Sequence, residues 1–137
     1  MMAHWNHRLP SNVPGAFFVD RSCIDCQLCH QLAPETFHAH GDQTVVYHQP
    51  RHLPEVHRAL MALVACPTAS IGNVDRPSLH RAVEAFPEEI AAGVYSCGFA
   101  SRHSYGAASY LLVRPTGNVL IDSPRFCEPL ARRLTAL

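Results

Sequence analysis

The sequence predicts an α+β fold in two unequal parts, and three observations lead to it. "RHLPEVHRALMALVACP", residues 51 to 67, carries Leu53, Val56, Leu60, Leu63 and Val64 at spacings of three and four, the period of an amphipathic helix. β-Forming residues flank tight turns at residues 36 to 48 and again at 108 to 122. Three cysteines, Cys23, Cys26 and Cys29, crowd into seven residues ahead of the helix. The first part is therefore expected to fold around a bound group as well as around apolar side chains.

Each element follows in order. Residues 1 to 15 read as a flexible arm. "AFFVD", 16 to 20, reads as a short strand leading into the cysteine loop, and "HQLAPETF" after Cys29 as a short helix broken at Pro34. The hairpin at 36 to 48 turns at Gly41-Asp42, with Val45, Val46 and Tyr47 as β-formers. Pro54 suits the first turn of the long helix, and Pro67 lies beyond its last. "ASIGNV", 69 to 74, is a closing strand. Residues 76 to 92 contain two prolines and a short helical pattern through Leu79, Val83 and Phe86, and read as a linker. Residues 93 to 137 are β-rich, with a hairpin turning around Pro115 to Asn118 and a terminal helix beginning near Glu128.

The chain has 137 residues, enough for one ordinary domain or two small ones. With 47% hydrophobic and 16% charged residues it is globular in composition. Eleven basic and eleven acidic residues give no net charge, so the electrostatic footprint of a nucleic-acid binder is missing. No apolar run approaches the roughly 18 residues a membrane span needs, the longest being "ALMALVAC". The polar start lacks the apolar core of a signal sequence, so a cytoplasmic location is expected. In that reducing compartment six cysteines favour metal ligation over disulfides.

A zinc site usually draws ligands in pairs from two separated loops. Here one loop brings three thiols, which suits a cubane cluster whose iron corners lie a few ångströms apart. In the bacterial C-x2-C-x2-C-x3-C-P run the fourth cysteine serves the other cluster of a two-cluster protein. Ala33-Pro34 stands in that place, so a single cluster is expected. The remaining thiolate falls to Cys66, carried back by the long helix and followed by Pro67. The expected cofactor is one [4Fe–4S] cluster held by Cys23, Cys26, Cys29 and Cys66. A zinc-binding interaction module, inert core cysteines and a three-iron cluster are the alternatives.

Other residues draw blander expectations. Cys97 and Cys127 fall outside the pattern and read as small, partly buried residues of the second part. The ten histidines read as surface residues, with His38 and His40 on one face of a strand. Phe37 and Tyr47 are expected to shield the cluster or fill the small core, and Ile24 and Leu28 to exclude water from it. Asp25 and Gln27 are expected to face outward.

Two resemblances extend this reading. Through "CIDCQLCHQLAPETF" and "ALVACPTASI", residues 16 to 75 resemble a single-cluster [4Fe–4S] bacterial or archaeal ferredoxin. The resemblance implies two short strand pairs, two helices and one-electron transfer. It also implies loss of the disulfide some members carry, since Ala33 occupies one of its positions. Through "YGAASYLLVRPTGNVLIDSPRF", residues 93 to 137 resemble the opening of a metallo-β-lactamase-fold domain fused behind a ferredoxin module. That family's H-x-H-x-D-H motif is absent here, and neither His80 nor His103 supplies its spacing. No hydrolase activity is expected, and Asp122 reads as a structural strand-end carboxylate.

The functional expectation is a one-electron carrier rather than an enzyme, with a redox partner protein and with neither nucleic acid nor membrane. The alternative is the N-terminal redox module of a larger ferredoxin-fused metallo-β-lactamase-fold enzyme. Leu111, Val113, Val119 and Ile121 would leave an apolar sheet face and an unpaired edge. Residues 108 to 122 are therefore expected to pack on the first part, to self-associate, or to stay loose.

Overall fold

A computed structural model describes residues 2–137. In the first part β1 (Phe17–Val19) pairs antiparallel with β4 (Ile71–Asn73), Phe17 opposite Asn73. The second pair, β2 (Phe37–His40) and β3 (Gln43–Val46), is the expected hairpin turning at Gly41-Asp42. Two helices link the pairs, α1 (Leu28–Leu32) and α2 (Leu53–Ala65). α1 begins inside the cysteine loop, earlier than its sequence suggests, and ends two residues before Pro34.

The apolar stripe expected of α2 holds except at its first member: Leu60 and Val64 are buried, and Val56 and Leu63 pack against the core. Leu53 is 85% exposed, whereas Ala59, Met61, Ala62 and Ala65 are buried. α2 lies between α1 and α3, so two of its faces are covered, and its alanines let both neighbours approach closely.

The expected arm is also tied down. Met1 lies outside the described residues. Leu9 N–H donates to Val19 O (2.9 Å) and Val13 N–H to Val46 O (2.9 Å). The Asn12 amide accepts from the backbone N–H of Val19 and of Val46 and donates to Leu9 O and Val19 O. One side chain thus bonds strands β1 and β3 together.

Residues 76 to 92 are more than a linker. They contain α3 (His80–Glu84) and β5 (Glu88–Ala91), and Phe86 is fully buried, edge-on to Phe99 with centroids 5.6 Å apart. Two glutamates at the start of β5 hide the strand from an apolar pattern. It begins an antiparallel sheet in the order β5, β6 (Val94–Ser96), β7 (Tyr110–Leu112), β8 (Val119–Ile121). The chain ends in α4 (Glu128–Thr135).

The second part packs on the first. Ala100 N–H donates to Ala65 O (3.0 Å), Arg125 Nη2 to Val64 O (2.7 Å), and Arg58 pairs with Glu88. Phe86, Phe99, Ala100, Leu111 and Leu130 join one buried cluster with the residues of α1 and α2. β8 stays open, with Val119, Leu120 and Ile121 38%, 46% and 45% exposed. Among the described residues no helix is long and apolar enough to cross a membrane.

Candidate metal centre

The loop after β1 reaches its shape through two residues that rarely adopt it. Asp25 (φ 55°) and Gln27 (φ 64°) are left-handed without being glycine, at a cost of about 1–2 kcal/mol each. These turns bring Cys23, Cys26 and Cys29 to one cavity, with Cys29 already in α1. Cys66 caps the C-terminus of α2 and joins them from the opposite side. A third left-handed residue, Ala69 (φ 52°), lies three positions after it.

The two turns treat their sulfurs alike. Asp25 N–H donates to Cys23 Sγ and Ser70 N–H to Cys66 Sγ, both at 3.4 Å. Burial pushes the Cys29 thiol up to about 12, opposed by the Thr44 hydroxyl and reinforced by the neighbouring cysteines. Burial likewise raises Cys26, against the Leu28 amide, with Cys66 and Cys23 adding to the rise. Buried thiolates therefore need a positive partner to hold them. Val19, Leu28, Ala62 and Ile71 complete an apolar lining.

This donor set fits an iron–sulfur cluster. All six cysteines are free, and four of them line one cavity from two directions. Four sulfurs spread around a cavity suit a group with several metal corners.

Some expected neighbours sit elsewhere. Leu28 is buried against the cavity, but Ile24 stands at its mouth, 44% exposed. Phe37 belongs to the core, while Tyr47 is exposed, stacks on His38 at 4.3 Å and donates to Pro34 O; neither lines the cavity. Gln27 faces solvent as expected. Asp25 does not: it is half-buried, and its Oδ1 has no hydrogen-bond partner among the described residues. Cys97 is fully buried and Cys127 half-buried ahead of α4, both away from the cavity. Asp122 is exposed, and its backbone carbonyl accepts from Ser109 Oγ.

Three contributors escape sequence reasoning. His30, expected at the surface with the other histidines, is half-buried, its pKa is lowered by burial, and its Nε2 lies 2.8 Å from Thr44 Oγ1. Thr44 links it to Cys29. Gly106, from the second part, lies against the cysteine loop. A Cβ there would stand 2.4 Å from Cys26 Cβ and 3.2 Å from Pro67 Cγ, and its φ of +75° also favours glycine. No spacing rule signals a contact between residues 80 positions apart.

Residues 19–73 match the family described as the 4Fe-4S single cluster domain of Ferredoxin I. The cofactor is a [4Fe–4S] cluster. The matched segment is thus of the iron–sulfur, electron-transfer type, and it contains Cys23, Cys26, Cys29 and Cys66. The match ends before the second part and lends nothing to the metallo-β-lactamase resemblance. No curated protein and no solved structure matches the chain.

Proposed function

We propose that this chain is a one-electron carrier whose single [4Fe–4S] cluster is held by Cys23, Cys26, Cys29 and Cys66. The observation that carries the reading is the arrangement of these four thiols around one cavity, supplied by two turns that each direct an amide at a sulfur. The bound cluster supplies reversible uptake of one electron, at a potential set by hydrogen bonds, nearby charge and exposure. The chain's own residues set those conditions. Amides of Asp25 and Ser70 disperse charge on two sulfurs, and Leu28, Ala62 and Ile71 keep water from the interior face. Ile24 at the open mouth offers a redox partner protein its shortest approach. Six free cysteines agree with a reducing, cytoplasmic location.

The test is iron and acid-labile sulfide analysis on anaerobically purified protein, with EPR after reduction. Four irons per chain are expected, cut to three or fewer in Cys66→Ala and unchanged in Cys97→Ser. A Cys66→Ala protein with four irons and an unaltered spectrum would refute the ligand set.

A second reading, the redox module of a larger metallo-β-lactamase-fold enzyme, draws on the open β8 edge and on α4 following it. An in-frame H-x-H-x-D-H downstream in the gene would support it, and a stop codon directly after Leu137 would end it. No hydrolysis is assigned to this chain.

A further inference from the structure

A file of hydroxyl groups runs from a buried carboxylate to the sulfur of Cys66. Asp20 is 2% exposed. Its Oδ2 accepts from His4 N–H (2.8 Å), and its Oδ1 accepts from Ser22 N–H (2.9 Å) and, in a short bond, from Ser22 Oγ. Ser22 Oγ lies 2.8 Å from Ser70 Oγ, which lies 2.6 Å from Thr68 Oγ1. Thr68 Oγ1 is 3.7 Å from Cys66 Sγ.

Each hydroxyl has one proton to give. A carboxylate only accepts, so Ser22 spends its proton on Asp20. Ser70 must then donate to Ser22, and Thr68 to Ser70. The order of donors is thereby decided from the carboxylate end. The last member turns its lone pairs, and not its proton, toward Cys66.

We propose that Asp20, through Ser22 and Ser70, acts as a positioning group that withholds the Thr68 hydroxyl proton from Cys66. The inference rests on Cys66 being a cluster ligand. Its sulfur then keeps the Ser70 amide as donor and gains none from Thr68. Donors to cluster sulfur favour the more negative, reduced state and raise the potential. The hydroxyl file therefore holds the potential below the value a free Thr68 hydroxyl would set.

Ser22→Ala cuts the file one step from the carboxylate. Ser70 then has no acceptor at Ser22, its proton can turn to Thr68, and that of Thr68 can turn to Cys66. The measurement is the midpoint potential of the anaerobically loaded protein by EPR-monitored titration. Ser22→Ala is expected to shift it upward, and adding Thr68→Val, which removes the hydroxyl 3.7 Å from the sulfur, is expected to cancel that shift. A Ser22→Ala midpoint equal to that of the unaltered protein overturns the proposal. So does an upward shift that survives in the double variant, since the cause would then lie outside the hydroxyl file. Iron analysis of Cys66→Ala separates the two readings: loss of the four-iron cluster there, with no shift in Ser22→Ala, rejects the hydroxyl file alone.

Discussion

The two parts of the molecule acquire a core in different ways. In residues 16 to 75 the strands are three or four residues long and occur only in pairs, and the space between them is a cavity lined by four thiols. In the second part a contiguous four-stranded sheet forms, and its buried apolar residues, Leu111 and Cys97 among them, belong to the same cluster as those of α1 and α2. A cofactor completes the first part, and the first part completes the second. The two sheet edges differ in the same spirit. β5 carries two glutamates and a register shift that discourage further pairing, whereas β8 presents three exposed apolar residues and no charge.

Removing the cluster is expected to break this comparison most severely. A segment of about 60 residues makes only a marginal core by itself, and metal–thiolate bonds contribute only in the folded form. Chelation of the iron should abolish most tertiary structure, read as lost amide dispersion by NMR. Because the parts share one core, amides of β6 and β7 should collapse together with those of β1 and β4. Survival of the second part alone would show that its core is its own.

Gly106→Ala probes the seam at the cysteine loop. The added Cβ meets Cys26 Cβ at 2.4 Å, and Cys26 has little room to yield while it faces the cavity. A loss of about 1–3 kcal/mol is expected, with iron per chain falling although every cysteine is kept. Denaturant titration and iron analysis check it; unchanged values for both would mean that the second part does not rest on Cys26.

The smallest effect belongs to the open edge. Leu120→Lys should change the stability of the single chain by less than about 0.5 kcal/mol, since Leu120 is 46% exposed and lies at the open edge. If copies of the chain pair through residues 108 to 122, the same change should shift sedimentation toward monomer. A concentration-independent monomer in the unaltered protein would exclude that pairing.

Local patterns carried far in this chain. The hairpin at Gly41-Asp42, the long helix with Pro54 in its first turn, the hairpin around Pro115 to Asn118 and the helix beginning at Glu128 all lie where turn residues and apolar spacing place them. Other elements are decided by distant neighbours. β5 forms from "EEIA" because β6 offers it a partner, not because its residues alternate. Asn12, in a stretch with no regular pattern, is held by its bonds to two strands. Asp25 is half-buried with an unpartnered Oδ1 among the described residues, whereas Gln27 two residues on faces solvent, a difference that their shared polarity does not reveal.

By itself the sequence determined that a single cluster is bound and which four sulfurs are candidates for it. Cysteine spacing limits which thiols can reach one small object, and a proline after the last helix limits where the remote one can stand. Tertiary structure alone decided the surroundings of those sulfurs: Gly106 against Cys26, Thr44 between His30 and Cys29, and the hydroxyl file from Asp20. Those contacts join residues far apart in the chain. Their geometry follows from how separate elements pack, a quantity that no local run of residues encodes.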